Sequence, residues 1–386
     1  MSSSRPQHWR FGLLYFISFA SISLPGIYGN LFLERSGVSK YQLGVLGAIS
    51  AWVSAFAPLF WGLAADALQR FRPVLGGIHL AAGLLYPLFW FWAEAPFWRL
   101  AVLMALFAFC FRPAIPLTDA WTLGYLREHG GDYGRLRSWG SLGFIAPLAV
   151  SVFVLGGEAG ASARSLWPIF VGFTFFKLIA VGTIFALPDR RAATAKRRFA
   201  WRELSAYLHP FAIVFFGASF LRFVVFTGYY TYFSIYLDEI GVPDNWKGSY
   251  WVVAVGAETL LIAVSGQLLR RWGVVPMLLS AFVAMTVRLA VWAMVPPWSV
   301  VLLTQTLHAF TFGAFHVASM YVIDRLTPEA LRASGQTFYA LVQGVGGILG
   351  GFLSGLLAEA YGIPSLYGWL AVLSLATTLS VGSRLC

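Results

Sequence analysis

Five ionisable side chains lie inside long apolar stretches of this sequence, where charge is costly. On insertion scales a charged residue at the centre of a membrane helix costs about 2.5–3.5 kcal/mol, so such residues mark functional sites by default. The five residues are Lys177, Arg222, Glu258, Arg288 and His308. Carboxylate, imidazole and guanidinium groups in an apolar setting are suited to exchanging protons or to binding an anion.

Glu258 is the candidate proton carrier. Arg288, one apolar stretch further on, can supply a cation beside it, and a change in their separation would change the proton affinity of Glu258. His308 and His316 share a helical face, and because an unperturbed imidazole titrates near neutral pH, they could join the same exchange. A static Glu258–Arg288 pair that joins two helices is an alternative. For His308 alone, an interhelical hydrogen bond is equally open.

Arg112 is the candidate substrate anchor, because a guanidinium binds a carboxylate through two parallel hydrogen bonds. A permanent partner such as Asp119, or a backbone carbonyl, is the alternative. Lys177 and Arg222 are further candidates for the same role. Further polar or aromatic residues could line a pocket: Tyr28, Asn30, Tyr229, Tyr230 and Tyr232. A tolerated kink near Pro25 is an equally open interpretation of the first span, and an interfacial aromatic belt is the alternative for Tyr232 and Tyr236.

Composition indicates the elements that must position these residues. The 386 residues are 59% hydrophobic and only 11% charged, whereas soluble domains average about 25% charged residues. Apolar runs long enough to cross a hydrocarbon core of about 30 Å recur along the chain, and in lipid such runs must be helical. The predicted fold is an all-α membrane protein with twelve spans, at 10–33, 42–65, 73–93, 96–120, 138–156, 166–187, 209–237, 246–268, 274–294, 298–322, 334–357 and 363–382.

Basic residues predict the orientation of the spans. With the N-terminus in the cytoplasm, 18 of the 27 Lys and Arg residues fall on the cytoplasmic side and 5 on the outer side. Both termini are therefore predicted to be cytoplasmic, in a bacterial-type inner membrane. Because the net charge of +11 is spread over loops, it argues against nucleic-acid binding. The two cysteines, Cys110 and Cys386, do not suggest a structural disulfide.

A basic linker divides the chain into two similar halves. We predict an N-terminal six-helix bundle over 1–188, a cytoplasmic linker over 189–208 and a C-terminal six-helix bundle over 209–386. A constant offset in residue number aligns Gly37 with Gly241 and Gly62 with Gly266, which indicates parallel repeats. The same offset pairs Ser54 with Glu258, Leu84 with Arg288, and Arg112 with His316. One bundle could therefore specialise in protons and the other in substrate.

Two loop motifs carry a family resemblance. Gly62, Asp66, Arg70 and Arg72 resemble the loop motif of the major facilitator superfamily, with Gln69 at its expected glycine. The segment from Pro116 to Asp119, followed by Asp132 to Ser141, resembles the phenylpropionate-permease family, a relative of the lactose-permease and nucleoside-symporter branch. The resemblance implies two six-helix bundles, alternating access and proton-driven uptake. It also implies a cytoplasmic gate at Asp66, Asp119, Arg135 and Arg137, and a coupling cluster at Glu258, Arg288 and His316.

The sequence therefore predicts a proton-coupled symporter that imports a small organic solute, such as an aromatic or other carboxylate. A sugar or nucleoside symporter using Asn30, Gln305 and the histidines is an alternative, and an efflux transporter or a membrane receptor is a further one. No nucleophile with an oriented base, metal cluster or phosphate loop is apparent, so we expect neither an enzyme nor a cofactor. The expected partners are a small solute, protons and membrane lipid, and the chain is expected to be a monomer.

Overall fold

The computed structural model describes residues 8–188, 209–327 and 332–385. Long helices dominate these residues, joined by short turns. The helices are α1 (His8–Arg35), α2 (Lys40–Leu68), α3 (Phe71–Phe91), α4 (Phe97–Phe111), α5 (Ala114–His129), α6 (Tyr133–Val154), α7 (Trp167–Ala186), α8 (Pro210–Glu239), α9 (Asp244–Trp272), α10 (Val274–Ala293), α11 (Trp298–Thr304), α12 (Phe315–Leu326) and α13 (Arg332–Leu385).

Within the described residues, eleven helical stretches are long and apolar enough to cross a membrane. The predicted all-α membrane fold is confirmed, but the count differs from twelve at the C-terminal end. There the stretch Phe338–Arg384 runs for 47 residues. Gly362 interrupts it with φ 79° and ψ 166°. This backbone conformation, open mainly to glycine, breaks helical geometry. The break falls between the predicted spans 334–357 and 363–382, which explains the difference.

The turn between α5 and α6 is shorter than the gap between the predicted spans 96–120 and 138–156. Helix α5 continues to His129, and only residues 130–132, which include two glycines with φ of 70° and 116°, separate it from α6. The side chain of Asp132 then accepts a hydrogen bond from the backbone NH of Arg135 at 3.3 Å. This bond caps the N-terminus of α6. Arg135 and Arg137 therefore lie on the first turns of a helix.

The predicted repeat is visible in the backbone. Gly37 and Gly241, which the repeat offset pairs, end α1 and α8 with φ of 92° and 83°. In each copy the NH of the following residue bonds to the carbonyl five residues earlier, at 3.0 and 2.9 Å. This bond is typical of a Schellman turn. The next helices, α2 and α9, begin at Lys40 and Asp244, which differ by the same offset. A left-handed glycine thus sets the same turn twice.

The described residues cluster into two compact units. The N-terminal unit contains 8–38, 52–157 and 161–188, and the C-terminal unit contains 39–51, 158–160, 209–327 and 332–385. The predicted linker over 189–208 lies outside the described part of the chain. In both units small residues allow close helix contact. A Cβ on Gly143 of α6 would lie 2.1 Å from the carbonyl oxygen of Phe16, and one on Gly350 of α13 would lie 2.6 Å from that of Val224.

Candidate functional site

Arg288 is the centre of a buried polar cluster in the C-terminal unit. Its side chain, on α10, is fully buried. The guanidinium donates to Thr311 Oγ1 at 2.8 Å, to Gln305 Oε1 at 2.5 Å and to the Tyr229 hydroxyl at 3.1 Å. The rings of Tyr229 and Trp292 lie 4.8 and 4.9 Å from its central carbon. These neutral acceptors, together with cation–π attraction to the rings, offset the cost of burying the charge.

His308 lies between Arg288 and Glu258. Its Nδ1 is 3.4 Å from Arg288 Nη1, and its Nε2 is 3.5 Å from Glu258 Oε2. A guanidinium has no acceptor atom, so Nδ1 of His308 must be the accepting nitrogen in this contact. We infer that the ring proton sits on Nε2 and points towards Glu258. The Glu258 side chain is 16% exposed and that of His308 only 1%, so the carboxylate is the more accessible end of this chain.

A change of helix type positions these groups. Between α11 and α12 the chain forms a 3₁₀ turn, Gln305–Leu307, and then a π-helical segment, Ala309–Ala314. Such bulges are rare and frequently occur at functional sites. The irregular stretch presents Gln305 and Thr311 to Arg288. It also leaves the carbonyl of Thr311 as acceptor for Arg222.

Aromatic rings enclose the cluster. The ring of Tyr230 lies 4.9 Å from that of Trp251, and its hydroxyl is 3.5 Å from His308 Nε2. The rings of Tyr229 and Trp251 stack at 5.7 Å with an interplanar angle of 20°. Arg222, 5% exposed, lies over the rings of Phe226 and Phe315 at 4.4 and 4.0 Å. The predicted residues Arg222, Tyr229 and Tyr230 are therefore brought to the same site.

His316 lies further along the same helical face. His308 stacks on Phe312 at 5.7 Å, and Phe312 stacks on His316 at 5.9 Å, with interplanar angles of 14° and 12°. His316 is exposed, unlike His308. The ring of Phe312 thus separates it from the cluster at Arg288.

The predicted substrate residues of the N-terminal unit occupy different environments. Arg112 follows the last residue of α4, where the helix gives way to α5, and its side chain is exposed. Lys177 is 1% exposed and lies over the rings of Phe111 and Phe173 at 4.9 and 5.3 Å. Tyr28 is buried, with its hydroxyl 3.1 Å from that of Ser151, and Asn30 is partly buried.

The predicted gate residues Asp119 and Arg137 meet within the N-terminal unit. Asp119 accepts a hydrogen bond from the Tyr15 hydroxyl at 2.6 Å, and its Oδ1 is 4.0 Å from Arg137 Nε. The guanidinium of Arg137 also lies 4.2 Å from the ring centroid of Phe19. Asp66 is partly buried on the last turn of α2, and Arg135 is exposed.

Two structural features were not predicted from the sequence. The π segment is one, because no residue in it distinguishes it from an α-helix. The other is His79 in α3, which is fully buried and has neither ring nitrogen hydrogen-bonded within the described part of the chain. A lone histidine in the apolar run of α3 was the only available signal.

The sequence matches a known protein family and several characterised relatives. A model of the MFS_1 like family matches residues 8–368. The chain belongs to the MFS_1 like family. This MFS_1 like protein is 29% identical to the maltose permease of Geobacillus stearothermophilus over 381 residues, which cover 96% of this chain and 92% of the permease. It is 28% identical to the probable 3-phenylpropionic acid transporter of Escherichia coli (strain K12) over 341 residues, covering 85% and 84% of the two chains.

Solved structures support the same fold. The crystal structure of the nucleoside transporter NupG superposes on this MFS_1 like protein with a TM-score of 0.82 at 18% identity, covering 98% of each chain. The family resemblance predicted from the sequence is confirmed, and the chain is an integral membrane protein. Its relatives are transporters of small solutes, which supports a transporter here as well.

Proposed function

We propose that this protein is a proton-coupled symporter that imports a small organic solute by alternating access, with Glu258 as the residue that exchanges the proton. The observation that carries the proposal is the chain of contacts from Arg288 through His308 to Glu258. It joins a permanent cation, a titratable ring and the one carboxylate of this group within a largely apolar unit. Of these three side chains, only that of Glu258 is partly exposed.

The contact geometry suggests how a proton would act. While Glu258 is ionised, the Nε2–H of His308 faces a charged acceptor, which gives a stronger hydrogen bond than a neutral one. Protonation of Glu258 removes that charge and weakens the hydrogen bond between Glu258 and His308. Because His308 Nδ1 also contacts Arg288, the change reaches α10 and the π segment that packs on it. Loading of the proton would thus alter contacts among α9, α10 and the irregular helix.

We propose that Arg112 binds an anionic group of the solute, such as a carboxylate. Arg112 is an exposed residue at the junction of α4 and α5, within an otherwise apolar region. The 28% identity to a probable 3-phenylpropionic acid transporter agrees with an aromatic carboxylate. Tyr28, Asn30, Arg222, Tyr229 and Tyr230 complete the proposed substrate-binding set, the last three beside the coupling group.

A sugar is the second candidate substrate, and a specific observation favours it. Gln305 Nε2 and Trp251 Nε1 are buried donors that find no acceptor among the described residues, and both lie in the aromatic site around Tyr229. Sugar hydroxyls accept such hydrogen bonds and stack their apolar faces on aromatic rings. The likeness to a maltose permease, over 96% of this chain, supports this class.

The remaining assignments concern the halves of the chain and its orientation. We propose that the halves 1–188 and 209–386 act as the two moving bundles, with both termini in the cytoplasm of a bacterial-type inner membrane. Asp66, Asp119, Arg135 and Arg137 would then latch the cytoplasmic face. The protein would act as a monomer.

Reconstituted vesicles test the function and separate the two substrate classes. Aromatic carboxylates, disaccharides and nucleosides are added to proteoliposomes in turn, and the external pH is recorded. A substrate should make the medium more alkaline as protons enter with it. For a carboxylate, Arg112→Ala should weaken apparent affinity roughly 10- to 100-fold, the equivalent of about 1.5–3 kcal/mol for hydrogen bonds to a charged group.

Matched variants complete that test. Arg112→Lys keeps the charge but loses the two-pronged geometry, so it should fall between wild type and Arg112→Ala. For a sugar, Trp251→Phe should reduce affinity while Arg112→Ala leaves it unchanged, because the indole NH of Trp251 lies in the aromatic site proposed for the sugar. Accumulation of a solute without proton movement would overturn the coupled mechanism, whichever substrate is found.

A further inference from the structure

A second group of buried bases lies in the N-terminal unit, away from the cluster at Arg288. His79 on α3 is fully buried, and Lys177 on α7 is 1% exposed. Both ring nitrogens of His79 lack hydrogen-bond partners among the described residues. Buried imidazole nitrogens are normally paired, so this ring calls for an explanation beyond packing.

The packing of α3 on α7 places the two bases next to each other. A Cβ on Gly83 would lie 3.0 Å from the Cβ of Lys177, and a Cβ on Gly76 would lie 2.9 Å from the ring of Phe185. His79 is midway between these two glycines on the same face of α3. It therefore meets α7 between Lys177 and Phe185, about one helical turn from Lys177, or roughly 5 Å along the axis.

The helices that carry the pair, and the neighbouring α4, supply no carboxylate. The sequences of α3, α4 and α7 contain neither Asp nor Glu. Asp119 of α5 is held by Tyr15 and Arg137. A charge on Lys177 is stabilised by the rings of Phe111 and Phe173 rather than by an anion. Two positive charges at this spacing in an apolar region would repel strongly, so the pair can hold at most one proton.

We propose that His79 and Lys177 together form a second proton-binding site, which alternates between one bound proton and none. The ligand is a proton rather than a substrate anion because the two bases are buried among closely packed helices. Both side chains are almost entirely enclosed, and the helix contact at Gly83 is tight. This assignment gives Lys177 a role other than the substrate contact that the sequence suggested, and it does not depend on coupling at Glu258.

Other titratable groups surround this site and must be separated from it in any measurement. Helix α3 packs on α4, α5 and α7, and α7 packs on α1. Those elements, with α3 itself, contribute further titratable or charged side chains along their membrane-embedded lengths: Tyr15, Tyr28, Tyr86, Cys110, Arg112 and Asp119. None of these is altered in the variants that follow.

Potentiometric titration of the purified full chain in detergent tests the proposal, with the proton itself as the probe. Between about pH 6 and pH 9, wild type should bind about one proton more than the double variant Lys177→Met/His79→Gln, whereas an ordinary lysine, which titrates only at about pH 10.4, would produce no difference in this range. In Lys177→Arg the permanent charge should suppress titration of His79. His79→Gln on a Lys177→Arg background should therefore cause no further change in this range.

A matched control and a fallback variant accompany this titration. Thr174→Val removes the hydrogen bond to the carbonyl of Gly83, 3.1 Å long, but no titratable group, so its curve should match wild type. If Lys177→Met fails to fold, His79→Gln alone still tests the pair, since it should shift titration of the retained lysine. The proposal is overturned if Lys177 variants match wild type below about pH 9, if His79 titrates independently of Lys177, or if Thr174→Val changes the curve equally.

Discussion

Nδ1 of His308 lies 3.4 Å from Nη1 of Arg288. Because arginine can only donate, this contact fixes the accepting nitrogen of the ring. It leaves Nε2–H for Glu258, whose Oε2 is 3.5 Å away. The sequence suggested that Arg288 acts on Glu258 directly. The structure places His308 between them, so a proton event at the carboxylate would reach the arginine through an imidazole.

Replacing Arg288 should destabilise the protein. Arg288→Met leaves Thr311, Gln305 and Tyr229 without the donor that they share. Each unsatisfied buried group costs about 1–3 kcal/mol, so we expect a loss of about 3 kcal/mol or more, seen as a lower melting temperature in detergent. Arg288→Lys keeps the positive charge but not the planar set of donors, so its melting temperature should fall less than that of Arg288→Met. Equal melting temperatures for Arg288→Met and wild type would show that the network is not structural.

Much of the fold could be predicted, because long apolar runs determine helices in lipid. Hydropathy located the spans, and the repeat offset located the paired turns at Gly37 and Gly241. Hydropathy also separated the last two spans, 334–357 and 363–382, at the point where Gly362 breaks the helix. The stretch from 121 to 137 lies between two predicted spans, yet most of it is helical, because polarity alone does not end α5 and Asp132 caps the start of α6.

The sequence marked several residues of the polar cluster but not how they contact one another. Charge in apolar runs marked Glu258, Arg288 and His308, and the structure brings these three together. The π segment depends on how Thr311 bonds to Arg222 and Arg288, which are contacts between helices that no local pattern records. His79 was missed because a single histidine in an apolar helix is not a pattern.

Gln69 provides a test of the repeat. It has φ 53°, whereas Gly273, its counterpart at the repeat offset, has φ 82°. A left-handed conformation costs a side-chain-bearing residue about 1–2 kcal/mol, and glycine very little. Gln69→Gly should therefore raise the melting temperature by relieving about 1 kcal/mol. Gly273→Gln should lower it by a larger amount, because ψ of 174° at Gly273 is a conformation open essentially only to glycine. A shift of the same sign in both variants would refute this backbone argument.

Close packing of α1 on α6 can be tested at one glycine. A Cβ on Gly143 would lie 2.1 Å from the backbone carbonyl of Phe16. Gly143→Ala must therefore push the helices apart at a cost of about 1–3 kcal/mol. Gly182 of α7 has nothing within 4 Å of the same position. Gly182→Ala should be neutral or stabilising by up to about 1 kcal/mol, because alanine favours helix. Melting curves that rank the two variants in the opposite order would contradict the contact.

The Asp119 network should respond to loss of charge. Asp119→Asn keeps the shape of the side chain but weakens the contacts with the Tyr15 hydroxyl and Arg137, which should cost about 1–3 kcal/mol. Asp132→Asn is the matched control, because this exposed residue caps α6 and asparagine caps a helix equally well. Thermal unfolding should separate the two variants. Identical losses would mean that Asp119 contributes no more than a surface cap.

The central claim is that Glu258 exchanges the transported proton, and the effect of Glu258→Gln on two modes of transport tests it most directly. Once a substrate is identified, proteoliposomes report both accumulation driven by a pH gradient and exchange of labelled for unlabelled solute. The variant should lose gradient-driven accumulation, by roughly 10-fold or more, yet retain exchange, because the neutral amide mimics the protonated carboxyl. Accumulation at the wild-type level in Glu258→Gln, with proton uptake intact, would contradict the account.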